Sequence, residues 1–273
     1  LWPDWVAPLA HDWITEHISG AMLSNLDLQL ALPPERLAAL QGDAALIDSD
    51  LSFKTGFSGL DLDYHRTLPP LKAASGKLAI AGDRLEAVAT KATLTAPGAK
   101  PVKVSDLSFT IAEMSADPSL GTLSARLSGS AAAVAALADS DPVNAIRTLG
   151  VKPASFSGEA KVHVSATIPL VDDGKVSNWQ AVANLAGLAS KQPLLGRTIR
   201  DGEMEITANA RQVSVKGKAQ VDGFASRFDL AEPINGAAKS IRRRDIRLSV
   251  TTADLARQDI RLAPVISGPI EVR

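Results

Sequence analysis

From Leu26 onward, apolar residues recur at every second position. Leu26, Leu28 and Leu30 alternate with Asp27 and Gln29, and the same beat returns at Leu78 and Ile80, at Leu107, Phe109 and Ile111, and at Leu123, Ala125 and Leu127. It continues at Val162, Val164, Ala166 and Ile168, with Lys161 before them and His163, Ser165 and Thr167 between them. Met204, Ile206 and Ala208 follow, then Val213 and Val215, then Ile246, Leu248 and Val250. Successive side chains of a strand point to opposite faces, so this period predicts strands with one apolar and one wet face. Antiparallel sheets solvated on one side have that pattern. Turn chemistry divides the strands at Ala81-Gly82-Asp83, Ala96-Pro97-Gly98, Asp172-Asp173-Gly174, Asp201-Gly202 and Asp222-Gly223.

Three stretches break the two-residue beat. Residues 3–18 read as an amphipathic helix, with Trp5, Leu9, Trp13 and Ile14 on one face, Pro8 near its start and Gly20 as its stop. Ala131 to Ala138 reads as a short inserted helix. A second is expected after it, with Asp141 as N-cap, Pro142 at the first helical position and Gly150 just past the end. Gly76-Lys77-Leu78-Ala79-Ile80 and Gly202-Glu203-Met204-Glu205-Ile206 form a weak internal repeat, as of one hairpin used twice. No Pro/Gly/Ser-rich linker interrupts the chain. Residues 1–273 are therefore read as one segment, with residues 130–152 the only candidate internal boundary.

Composition sharpens this picture. Hydrophobic residues make up 45% of the 273 positions and aromatics only 4%, so the interior is aliphatic and stacking platforms for sugars or bases are few. The 29 Lys+Arg balance 30 Asp+Glu, which argues against a nucleic-acid partner. There is no cysteine, hence no disulfide framework, thiolate metal site or cysteine nucleophile. The chain opens on Leu1 rather than Met and holds neither a signal peptide nor an apolar run of membrane-spanning length, so we expect a fragment of a longer, anchored protein.

Catalytic and metal motifs are missing. There is no phosphate-cradling P-loop, no serine nucleophile elbow, no H-E-x-x-H and no EF-hand loop. His11, His17, His65 and His163 show no metal-ligand spacing, and no cofactor is expected. Asp61-Leu62-Asp63 and Asp48-Ser49-Asp50 put paired carboxylates on one strand face, which suits a cation or an acid–base pair; a solvated face is the simpler expectation. The basic run from Lys239 through Arg242, Arg243 and Arg244 suits lipid headgroup phosphates or an anionic membrane surface, or else a charged turn entering a strand.

What remains is the set of aliphatic faces, rich in small residues such as Ala125, Ala166 and Ala208 and poor in the rings that plug a sandwich. A curved sheet left open on that side would present an apolar strip suited to acyl chains, whose burial is worth roughly 0.8 kcal/mol per CH₂. The expected lining is Leu78, Ile80, Leu107, Phe109, Ile111, Val162, Val164, Met204, Ile206, Val213, Val215, Leu248 and Val250.

Three short motifs carry a family resemblance. They are Leu1-Trp2-Pro3 followed by Trp13-Ile14-Thr15-Glu16-His17-Ile18-Ser19-Gly20; Leu127-Ser128-Gly129-Ser130 with its Ala/Leu helix and Asp141-Pro142; and Leu194-Leu195-Gly196-Arg197-Thr198-Ile199-Arg200-Asp201-Gly202. Together they resemble the periplasmic domain of YhdP-like members of the AsmA-like superfamily. The third departs from that pattern in having Ile199 in the leucine place. The resemblance implies a mainly β fold, an elongated curved antiparallel sheet forming an open apolar groove, with an N-terminal amphipathic helix and one or two short inserted helices. It implies a non-catalytic lipid conduit in the periplasm, anchored to the bacterial inner membrane, that moves phospholipid between the two membranes, with other envelope proteins as partners. The alternatives are a TamB-like assembly factor for outer-membrane proteins and, further off, a carbohydrate- or lipid-acting enzyme using an Asp pair.

Overall fold

A computed structural model describes residues 8–41, 44–141, 143–147, 150–171, 176, 178–234, 242–251 and 270–272. Among them the chain is mainly β. The strands are β1 (Ile18–Ser19), β2 (Met22–Leu30), β3 (Leu51–Leu62), β4 (Leu71–Ala81), β5 (Arg84–Leu94), β6 (Val102–Ile111), β7 (Leu120–Ser130) and β8 (Phe156–Pro169). They continue with β9 (Asn178–Ser190), β10 (Ile199–Asn209), β11 (Gln212–Val221), β12 (Phe224–Pro233), β13 (Arg243–Val250) and β14 (Ile270–Val272). They form one sheet in chain order, except that β1 and β2 both pair with β3. The expected mainly β, antiparallel fold is what the chain adopts.

The helices are α1 (Pro8–His17), α2 (Pro34–Leu40) and α3 (Ala131–Ala138). Residues 3–7, including Trp5, lie outside the described residues, as does the side chain of Leu9. Of the expected apolar helix face, Trp13 is exposed and Ile14 half-buried. The helix stops at His17 rather than at Gly20, because Ile18 already pairs with Leu62 and His17 Nδ1 lies 2.7 Å from the Asp63 carbonyl oxygen. Gly20, at φ 67°, separates β1 from β2 instead. The inserted helix α3 forms as expected, capped by the Ser130 hydroxyl accepting from the Ala133 N–H at 3.3 Å.

The helix expected to follow Asp141 is not seen among the described residues, which turn irregularly there. Asn144 takes a left-handed φ of 50°, incompatible with a continuing helix, and the Asp139 carboxylate accepts the Arg147 N–H at 2.6 Å. Pro142 itself lies outside the described residues, as does the Asp172-Asp173-Gly174 turn. Asp201-Gly202 is a second correction: it lies inside β10, where register shifts between Arg200 and Glu203 with Asp201 at φ 51°, and so forms a bulge rather than a turn.

Two compact units are distinguished. The first comprises Leu1–Ala96, Pro101–Leu127 and Val164–Trp179; the second comprises Pro97–Lys100, Ser128–His163 and Gln180–Arg273. The first has its core at Leu71, Ala74, Ala89, Ala92, Val104 and Ala125, flanked by Phe57, Leu60, Leu62, Leu94, Leu107 and Leu127.

Candidate functional site

Side chains directly opposite one another on neighbouring strands share a face, so register shows which residues the fold gathers. In the first unit, one row runs Leu28–Phe53–Ile80–Leu85–Ile111 across five strands. The next runs Thr55–Leu78–Ala87–Phe109, and a third runs Phe57–Gly76–Ala89–Leu107. All three rows lie on one face. Leu78, Ile80, Leu107, Phe109 and Ile111 are therefore brought together. On the opposite face, Gly56 opposes Lys77, which opposes Val88, and Ala79 opposes Glu86. The apolar face is sealed around the core and half-exposed toward Leu78, Ile80, Leu85 and Ala87. Gly121 is buried on this side; a Cβ there would meet the Phe109 ring at 2.5 Å, so the ring lies over the space that the missing side chain leaves.

In the second unit the rows are Ala183–Ile206–Val215–Leu230–Arg244 and Leu185–Met204–Gly217–Phe228–Ile246. Ala208 opposes Val213, and Ala219–Ser226–Leu248 forms a third row. Met204, Ile206, Val213, Val215, Leu248 and Val250 thus share a half-exposed face. The other face carries two fully charged rows: Glu205–Lys216–Asp229–Asp245 and Glu203–Lys218–Arg227–Arg247. A concavity of about 540 Å³ lies on that charged side, lined by Glu203, Lys216, Lys218, Arg227, Asp229 and Arg247 among others. Val162 and Val164 are half-buried on β8, while Lys161 and His163 are exposed.

Lys239 lies outside the described residues. The three arginines after it do not act as one cluster. Arg243 pairs with Asp229 at 2.7 Å, whereas Arg242 and Arg244 both reach Glu232. The Glu232 carboxyl is held below its ordinary range, first by the Arg244 bond.

The aspartate pairs are taken up in local structure. Asp61 accepts Lys72 Nζ at 3.0 Å and the Ala73 N–H at 2.8 Å, pinning the bulge where Ala73 has φ 53°. The Ala73 N–H bond, then Lys72, holds its carboxyl below the usual range. Asp48 pairs with Arg84 at 2.6 Å, and Asp50 is buried against Arg36. His17 bonds a backbone carbonyl, and no group of metal-ligating side chains is found among the described residues. No described helix is long and apolar enough to cross a membrane.

Several lining residues escape a reading strand by strand: Phe53, Phe57, Leu85, Ala87, Phe228 and Leu230. Their alternation was present in Phe53-Lys54-Thr55-Gly56-Phe57 and Arg227-Phe228-Asp229-Leu230. No family model, curated protein or solved structure matches this chain.

Proposed function

We propose that this chain is a non-catalytic lipid-handling segment of a bacterial envelope protein in the periplasm, a stretch of an elongated apolar groove along which phospholipid acyl chains pass between the membranes. The observation that carries the reading is the cross-strand stacking of aliphatic side chains on one half-exposed face of each unit, with a face that carries the charged residues opposite. In the first unit's half-exposed row, Ala87 lies between Leu78 and Phe109, and so small a residue suits the face to receiving a chain. Binding needs no directional contacts, since each buried CH₂ contributes roughly 0.8 kcal/mol. Transport is then passive sliding, with headgroups in water. The experiment is native purification followed by mass spectrometry of bound lipid. Stoichiometric phospholipid is expected, and a lipid-free protein overturns the reading.

A specific observation favours a second reading, that of a TamB-like assembly factor. All nine residues of β2 are exposed, and among the described residues β2 pairs with β3 alone, so one backbone edge is open to strand addition. Crosslinks from β2 to outer-membrane barrel proteins, with no lipid bound, would favour it. The enzyme reading has less support, because Asp61 and Asp50 are each held by a cation and a backbone N–H.

A further inference from the structure

Two arginines stand at the border of the second unit's aliphatic strip. Register runs one row through Ile206, Val215, Leu230 and Arg244, each directly opposite the next. Arg244 therefore leaves the sheet on the aliphatic side. Glu232 opposes Val213 and lies on that side too. Its Oε2 accepts the Nε–H of Arg242 at 3.0 Å, and its Oε1 accepts the Nε–H of Arg244. Two guanidiniums thus share one carboxylate, which leaves one positive charge in excess. Both bond through Nε, and among the described residues neither offers its terminal Nη groups to another partner. Arg243 belongs elsewhere, since it opposes Ala231 and pairs with Asp229 on the charged face.

This arrangement has the two halves of an amphiphile's complement. Planar guanidinium groups with free N–H pairs match phosphate oxygens, and the shared carboxylate restrains both side chains so that less rotamer freedom is lost on binding. Neighbouring strands lie about 4.8 Å apart, so the row from Arg244 to Ile206 spans about 14 Å, comparable to a fatty acyl chain laid across the strands. Building on the lipid reading, we infer that Arg242 and Arg244, held by Glu232, bind the phosphate of an anionic lipid whose acyl chain lies over Leu230, Val215 and Ile206. The site selects anionic over zwitterionic headgroups.

The test uses the full chain with a photoreactive residue at Val215. It is irradiated with vesicles of phosphatidylcholine alone or of phosphatidylcholine doped with phosphatidylglycerol. Phosphatidylglycerol adducts are expected to exceed their share of the vesicle by roughly fivefold, as about 1 kcal/mol for the one positive charge in excess implies. In the Arg242→Gln/Arg244→Gln variant the preference should vanish while phosphatidylcholine adducts persist. The Arg242→Lys/Arg244→Lys variant, which keeps the charge and loses the fork, should retain part of it. A preference that is absent from the unsubstituted chain, or that survives the double Gln variant, overturns the headgroup assignment and leaves the lipid reading standing. If neither lipid labels Val215 in the unsubstituted chain, the lipid reading itself fails. Should the double variant lose cooperative unfolding, Arg244→Gln alone decides, and an unchanged preference overturns the assignment.

Discussion

Among the described residues, Asp50 is the charged side chain withdrawn furthest from water, at 1% exposure. Arg36 Nε reaches both its oxygens at 3.0 Å, Arg36 Nη2 reaches Oδ2 at 2.6 Å, and the Ile47 N–H donates to Oδ2 at 3.0 Å. This clamp fixes the turn between α2 and β3 and holds the Asp50 carboxyl below its ordinary 3.8, with the Arg36 bonds as the main cause. A depressed carboxyl stabilises the fold at pH above its unfolded value, and that contribution is lost as pH falls through the lower folded value. Asp61, Asp222 and Glu232 are depressed likewise. Melting temperature is therefore expected to hold at neutral pH and drop once pH falls below about 4. Asp50→Asn should lower the plateau and flatten part of the acid limb; an unaltered pH profile would contradict this role. Two glycines give a steric contrast. A Cβ at Gly76 would sit 1.8 Å from the Val88 carbonyl oxygen, whereas at Gly121 it meets the movable Phe109 ring. Gly121→Ala is expected to cost about 1 kcal/mol and Gly76→Ala about 3 kcal/mol in urea unfolding.

At the scale of elements, the same dipeptide does two different jobs. Asp222-Gly223 closes a two-residue hairpin, with Val221 opposite Phe224 and φ of 50° and 84°, the twist that type I′ turns require. Gly223→Ala is expected to cost about 1 kcal/mol, since alanine resists that conformation. Asp201-Gly202 reads identically in sequence but forms a bulge, because Gly202 stays paired with Leu188 in β9. No local signal separates the two; the partner strand decides. Alternation made β4, β6, β10, β11 and β13 legible, because the apolar runs read there lie clear of the register shifts at Lys72–Gly76 and Arg200–Glu203. The helix expected at 141–150 failed on Asn144, whose backbone is left-handed where the Ala145 N–H turns back to the Ala138 carbonyl at 2.8 Å. The helix α2 was not anticipated, although Pro34 at its start and Glu35 in its first turn are signals that could have found it. In β2 the alternation was plain while the exposure was not, since Leu28 remains 58% exposed on a strand with one neighbour among the described residues. Leu28→Lys should therefore change stability by no more than about 0.5 kcal/mol, whereas Leu71→Ala in the core should cost about 3 kcal/mol.

At the scale of the whole molecule, each unit turns an aliphatic face to one side and a polar face to the other. Which strand positions are apolar was readable from single strands. Which of them meet was not, because register depends on pairings between segments tens of residues apart, as where Ile80 opposes Leu85 and Leu85 opposes Ile111. The arginine run shows the same limit. Its three members look alike in sequence, yet pleating sends Arg243 to the charged face and Arg244 to the aliphatic one. The central claim is that lipid lies on the aliphatic faces and not on the polar ones. The most direct measurement places photoreactive residues singly at Leu78 and Lys77, and at Val215 and Lys216, neighbours that alternate across the sheet. Abundant phospholipid adducts are expected at Leu78 and Val215, with few at Lys77 and Lys216. Equal labelling within each pair, or none at the two apolar positions, would contradict the account.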